Sequence, residues 1–101
     1  MGYKIKELAE LSGVSARTLR YYDQIGLLIP LRQAENGYRL YGEQQVDRLQ
    51  QILFYRQLGM PLEEIRRTLD SAEYDRSRAL EEHLAALRKQ QEQLHLTLAL
   101  L

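Results

Sequence analysis

Leu80, Leu84, Leu87, Gln91, Leu94, Leu98 and Leu101 are spaced 4, 3, 4, 3, 4 and 3 residues apart. That is a heptad seam with one polar member, and no other feature constrains the chain as much. Arg76 to Leu101 reads as a single helix, which at about 1.5 Å per residue reaches nearly 40 Å. The rest of a 101-residue chain is too small to cover a helix of that length. The seam is therefore expected to meet a helix from a second molecule in a coiled coil, in preference to packing back on its own chain. Gln91 in such a seam can fix register and strand number at some cost in stability. Leu96 and Leu100 lie off the seam and mark either a second contact or a surface left bare where the chain stops. The change of pattern at Arg76 sets the expected division: a domain over 1–75 and a dimerisation helix over 76–101.

Val14 to Leu28 is the second informative stretch. Ser15 can cap a helix, because its hydroxyl can accept a bond from a free N–H of the first turn. Gly26 suits the left-handed position just past a helix end. Between them lies room for about three turns. Leu19, Tyr22 and Ile25 recur every three residues and line one face. Arg17, Thr18, Arg20 and Tyr21 fall largely on the other side. An outer face of Arg, Thr and Tyr suits a groove of DNA, where Arg bonds guanine in bidentate fashion and Tyr or Thr bonds phosphate. Lys6 to Leu11 reads as a short preceding helix, and Ser12-Gly13-Val14 breaks it. Helix, glycine-containing turn and second helix make a helix-turn-helix. The same pattern suits two packed helices of a small bundle, and this stretch alone does not separate the two.

The remaining segments read as follows. Met1 to Ile5 can form a brief strand, since Tyr3 and Ile5 alternate around Lys4. Ile29-Pro30-Leu31 is extended, because the residue before proline avoids the helical region. Ala34-Glu35-Asn36-Gly37 carries the Asn-Gly pair of a hairpin turn. Tyr38 to Tyr41 alternates and is rich in strand formers. The result is a small two-stranded wing, with Tyr38 and Arg39 where a wing would meet a DNA backbone; a hairpin that only covers the core fits as well. Gly42 to Leu58 is a helix with a stripe of Val46, Leu49, Ile52, Leu53 and Tyr55 or Arg56. Gly59 caps it. Pro61 opens the next helix at its first turn, with Glu63 and Glu64 at the favourable end of its dipole and Leu62, Ile65 and Leu69 as its apolar face. Arg66 and Arg67 are expected to be solvated. Asp70 to Asp75 reads as a loop.

Composition excludes several classes. There is no cysteine, so no disulfide, thiolate metal site or cysteine redox chemistry. His83 and His95 alone make no metal site, and no cofactor is expected. No apolar run approaches the roughly 20 residues of a membrane span, and no signal peptide is visible. A cytoplasmic location is expected. No Ser/His/Asp set or phosphate-cradling glycine loop appears, so the chain is not expected to be an enzyme. The net charge is zero. Residues 1–60 hold eight basic and six acidic side chains and residues 61–101 six and eight, a small asymmetry. Affinity for DNA would have to come from local patches and dimerisation, not from a global basic field. Neutral charge and a clean leucine seam also fit a protein-interaction module, with the coiled coil as its working surface.

Three motifs in order carry a resemblance. They are Val14-Ser15 with Arg17-Thr18-Leu19-Arg20-Tyr21-Tyr22-Asp23 and Gly26-Leu27-Leu28; then Gly37-Tyr38-Arg39-Leu40-Tyr41; then the run from Leu49 to Ile65. Together they resemble the MerR family of bacterial transcription regulators and, with Asp75-Arg76 and the long helix, its Mta and TipA branch. The resemblance implies a mainly α fold. It comprises a winged helix-turn-helix DNA-binding domain with a small β-hairpin wing, a helical second wing, and a long C-terminal helix pairing as an antiparallel coiled coil. It implies a homodimer on double-stranded promoter DNA whose spacer is overlong. The DNA is bent and untwisted so that RNA polymerase engages both promoter elements, which is readout by deformation. Activation is the expected sign of regulation. Matched position by position, Arg17, Thr18, Arg20 and Tyr21 meet bases or phosphates, and Tyr38 and Arg39 grip the backbone from the wing. Arg56, Lys4 and Lys6 are weaker phosphate candidates. Tyr22 reads as core, and Tyr41 as core or contact. Leu80, Leu84, Leu87, Gln91, Leu94, Leu98 and Leu101 form the dimer seam. Members of this branch continue into an effector domain, whereas this chain stops at Leu101 and lacks the cysteines of metal- and redox-sensing relatives. An effector domain is therefore expected to be missing from the chain.

Overall fold

A computed structural model describes residues 2–32 and 37–101. Its elements run β1 (Tyr3–Lys4), α1 (Ile5–Ser12), α2 (Ala16–Gln24), β2 (Leu31–Arg32), β3 (Arg39–Tyr41), α3 (Glu43–Gln57), α4 (Leu62–Asp70) and α5 (Arg76–Leu100). They fall into two compact units, Met1–Arg67 and Thr68–Leu101.

In the first unit, α2 is fixed at both ends by its own sequence. Ser15 Oγ accepts from the Thr18 N–H at 3.0 Å, and its hydroxyl donates to Thr18 Oγ1 at 2.9 Å. At the other end Gly26 takes a φ of 74°. There the Leu27 N–H donates to the Tyr22 carbonyl at 2.8 Å and the Gly26 N–H to Asp23 at 3.1 Å. This paired closure satisfies two carbonyls that a helix end would otherwise leave open. The end of α3 repeats it: the Met60 N–H donates to Tyr55 at 3.1 Å and the Gly59 N–H to Arg56 at 3.0 Å. Each closure turns the chain sharply and sends the following apolar residue inward. Leu27, Leu28 and Met60 are buried, as are Tyr22 and Tyr55. Leu8, Leu19, Tyr41, Leu49, Ile52 and Ile65 complete this core.

The sheet has three strands in the order β1-β3-β2, both pairings antiparallel, with Tyr3 opposite Tyr41 and Leu31 opposite Leu40. The expected two-stranded wing is thus extended by the N-terminal strand. A Cβ on Gly2 would stand 3.2 Å from the Tyr41 carbonyl oxygen, so the approach of the first residues to β3 favours a residue without one. Residues 33–36, where the Asn-Gly turn is expected, lie outside the described residues. Tyr41 is fully buried, which assigns it to the core.

The helix after Gly59 begins one residue later than the sequence suggests. Pro61 stands before it and its carbonyl accepts from Ile65 at 3.0 Å. Asp70 belongs to α4 and not to the following loop, because the helix runs on through Thr68 and Leu69. In the first turn Glu63 receives two bonds from the Arg66 guanidinium, one of them from Nε at 3.2 Å. That bond, aided by the charges of Arg66 and Arg67, holds the Glu63 carboxyl below its ordinary range. A depressed carboxylate stabilises the folded state above its unfolded pKa, and the contribution is lost as pH falls through the folded value. In a carboxyl-detected NMR titration Glu63 is expected to protonate at lower pH than a glutamate in an unstructured peptide. Arg66→Ala should move it back up; an unmoved midpoint would show that the pair does not form in solution.

The second unit is dominated by α5, capped by Asp75, whose carboxylate accepts from the Arg78 N–H at 3.2 Å. No residue of α5 is buried.

Candidate nucleic-acid interface

The outward side of α2 forms a coherent surface. Arg17, Thr18, Arg20, Tyr21 and Gln24 together line one shallow depression. The three- and four-residue spacings among them bring these side chains onto neighbouring turns. Arg17 and Arg20 are exposed, and Tyr21 is half exposed. Thr18 is held by Ser15, which fixes its side chain while leaving the hydroxyl hydrogen to be donated. Gln24 was not anticipated from the sequence. It stands one turn beyond Arg20, so the same helical spacing could have identified it.

One acid belongs to α2, and it does not dilute this surface. The Asp23 side chain is only 11% exposed and accepts from Arg39 Nε at 3.2 Å. The first residue of β3 is thereby tied to the last turn of α2. Sequence reading places Arg39 on the wing but gives it no partner within the chain. Its bond to Asp23 makes the wing and the helix one electrostatic unit.

Two further arginines lock α2 from behind. Arg56 Nη1 donates to the Tyr22 hydroxyl at 2.9 Å, and Arg48 Nε donates to the Leu27 carbonyl at 2.7 Å. Both come from α3 and reach the last turn of α2 or the turn after it. Arg56 as a residue remains exposed while it bonds Tyr22. Tyr38, one residue before β3, is 62% exposed. Lys4 lies in β1 opposite Leu40 of β3, and is exposed; Lys6 is exposed on α1. The structure thus joins Arg39 and Arg56 to α2 through named bonds. Lys4 shares the sheet with the wing, and Lys6 projects separately.

A rigid helix with a cationic, hydrogen-bonding outer face and a cationic strand end at its side can read base edges and hold phosphates together. Among the described residues no group of three or more His, Asp or Glu side chains is placed to hold a metal ion. No described helix is long and apolar enough to cross a membrane.

The seam residues toward the end of α5 are exposed in the single chain. Leu94 is 65% and Leu98 68% exposed. Gln91 and Leu101 are also exposed; Leu80 and Leu87 are intermediate, with Leu84 at the border. Off the seam, Leu96 and Leu100 are exposed too.

Comparison with known proteins agrees with this geometry. A family described as "MerR HTH family regulatory protein" matches residues 3–72, and one described as "MerR, DNA binding" matches residues 46–101. The HTH-type transcriptional activator mta of Bacillus subtilis is 45% identical over 94 residues, which cover 93% of this chain and 37% of that protein. The chain therefore spans little more than a third of that relative's length. The crystal structure of MtaN, the N-terminus of the Bacillus subtilis multidrug transporter activator, superposes with a TM-score of 0.83 at 43% identity, covering 95% of this chain and 91% of that one. HiNmlR, a MerR family regulator lacking the sensor domain and bound to promoter DNA, superposes with a TM-score of 0.73 at 30% identity, covering 99% of this chain and 84% of that one. With its winged helix-turn-helix, its helical pair and its long final helix, this chain belongs to the MerR family of transcription regulators.

Proposed function

We propose that the chain is the DNA-binding and dimerisation part of a transcription activator. As a homodimer it binds pseudo-palindromic promoter DNA and distorts the spacer for RNA polymerase. The observation that carries this reading is the exposed face of α2. There Arg17, Thr18, Arg20, Tyr21 and Gln24 share one surface while the helix's single acid is engaged by the wing. The promoter-bound relative HiNmlR supports it. In this reading α2 enters the major groove, and Arg17 and Arg20 bond base edges or phosphates. Thr18 and Tyr21 bond phosphates, Tyr38 and Arg39 hold the backbone beside them, and Arg56, Lys4 and Lys6 add outer phosphate contacts. The exposed leucines of α5 meet those of a second copy.

Selection of bound duplexes from a random-sequence pool tests the proposal. The expected product is an inverted repeat whose half-sites answer to the two copies of α2. Arg17→Ala should then lose about 1–3 kcal/mol of discrimination at one base pair of each half-site. Failure to enrich any sequence over the starting pool would contradict specific recognition.

A further inference from the structure

We propose that Asp23 is a positioning residue for the wing: its carboxylate, held on the last turn of α2, orients the Arg39 guanidinium so that the two terminal nitrogens meet a DNA phosphate. The inference rests on the DNA-binding reading above and adds an acidic residue to an interface otherwise made of cations and hydroxyls.

The geometry carries it. An arginine offers five N–H donors in a planar fork. Asp23 Oδ2 takes the one on Nε, at 3.2 Å. A guanidinium held by Nε keeps both Nη groups at the opposite edge, the edge that matches a phosphate. The Arg39 side chain is 32% exposed and Asp23 only 11%, so the carboxylate is the more shielded partner and the guanidinium the more accessible one. Asp23 follows Arg20 by one turn, and its backbone is fixed by the Gly26 closure. Arg39 follows Gly37, whose φ is 70°, by two residues. Their bond therefore sets the distance between the helix that would read bases and the strand that would hold the backbone. A long side chain ordered before binding also loses less rotamer freedom on binding.

The position invites a test with opposite signs. By Coulomb interaction alone, removing a carboxylate beside DNA should tighten binding. By positioning, it should weaken it. Operator affinity is measured by fluorescence anisotropy over a salt series on the enriched duplex. The chains are the unsubstituted protein, Asp23→Ala, Arg39→Ala and the double variant. Thermal unfolding confirms that each is folded, and Asp23→Leu, which keeps the side-chain shape but no acceptor, replaces Asp23→Ala if that variant is not. The expected result is that Asp23→Ala weakens binding about two- to tenfold per half-site, the cost of ordering one long side chain. It should lower the salt slope by about one per half-site, as Arg39→Ala does. In the Arg39→Ala background the same substitution should not weaken binding further. The inference is overturned if Asp23→Ala binds as tightly as the unsubstituted chain or more tightly. An equal weakening in both backgrounds, or an unchanged salt slope, overturns it as well. If the unsubstituted chain binds no duplex, the DNA-binding reading fails and this inference falls with it; binding by the unsubstituted chain with any of the other contrary results removes this inference alone.

Discussion

Leu94→Lys is expected to separate the dimer and to weaken operator binding in the same step. Leu94 lies in the seam of α5 and is 65% exposed in the single chain, so the substitution takes nothing from the chain's own core. In a paired seam the lysine would place a charge among apolar side chains without a partner, which costs several kcal/mol or forces the helices apart. Operator binding falls because the second half-site is no longer delivered at high local concentration; linkage of two modules typically raises overall affinity by about 10²–10⁴. Sedimentation should show a monomer with an unchanged far-ultraviolet spectrum, and anisotropy a loss of affinity within that range. An unchanged sedimentation profile would refute the assignment of the seam.

Tyr22→Ala is expected to remove a large share of the stability of the unit Met1–Arg67. Tyr22 is 1% exposed and lies at the C-terminal closure of α2, so truncation leaves a large cavity under the recognition surface. Large aromatic-to-alanine changes in cores cost about 3–5 kcal/mol, against a total of about 5–15 kcal/mol for a typical domain. Tyr22→Phe keeps the ring and removes only the acceptor for Arg56 Nη1. It should cost about 1.5–3 kcal/mol, the range for a hydrogen bond to a charged group. Urea unfolding of the two variants separates packing from the hydrogen bond. Equal losses in both would mean that the hydroxyl, and not the ring, holds the site.

Where local chemistry decides the structure, it was legible in the sequence. Ser15 and Gly26 bracket α2 because a hydroxyl cap and a left-handed glycine act within one turn. The alternating, strand-forming stretch Tyr38 to Tyr41 supplies β3 over Arg39–Tyr41. The three motifs in order identified the family, since their arrangement along the whole chain is far more specific than any one of them. What was not legible depends on contacts distant in sequence. A brief strand around Lys4 is legible in the alternation of Tyr3 and Ile5, but its place beside β3, where Gly2 closely approaches Tyr41, is not. Asp23 and Arg39 are 16 residues apart, and only the position of the wing brings them together. Sequence reading gives Arg48 no role and makes Arg56 a stripe member or a weaker phosphate candidate; their bonds to Leu27 and Tyr22 span 21 and 34 residues. Leu27 and Leu28 sit within the motif that marks the family, yet their complete burial follows from the sharp turn after Gly26.

In the proposed complex two copies of α2 hold one duplex and deform it between them. A nuclease footprint on the enriched duplex, at two salt concentrations and with excess competitor DNA, tests it most directly. The expected result is two protected half-sites flanking a hypersensitive centre, with protection weakening as salt rises. Protection of a single half-site, or a protected region with an undistorted centre, would contradict it.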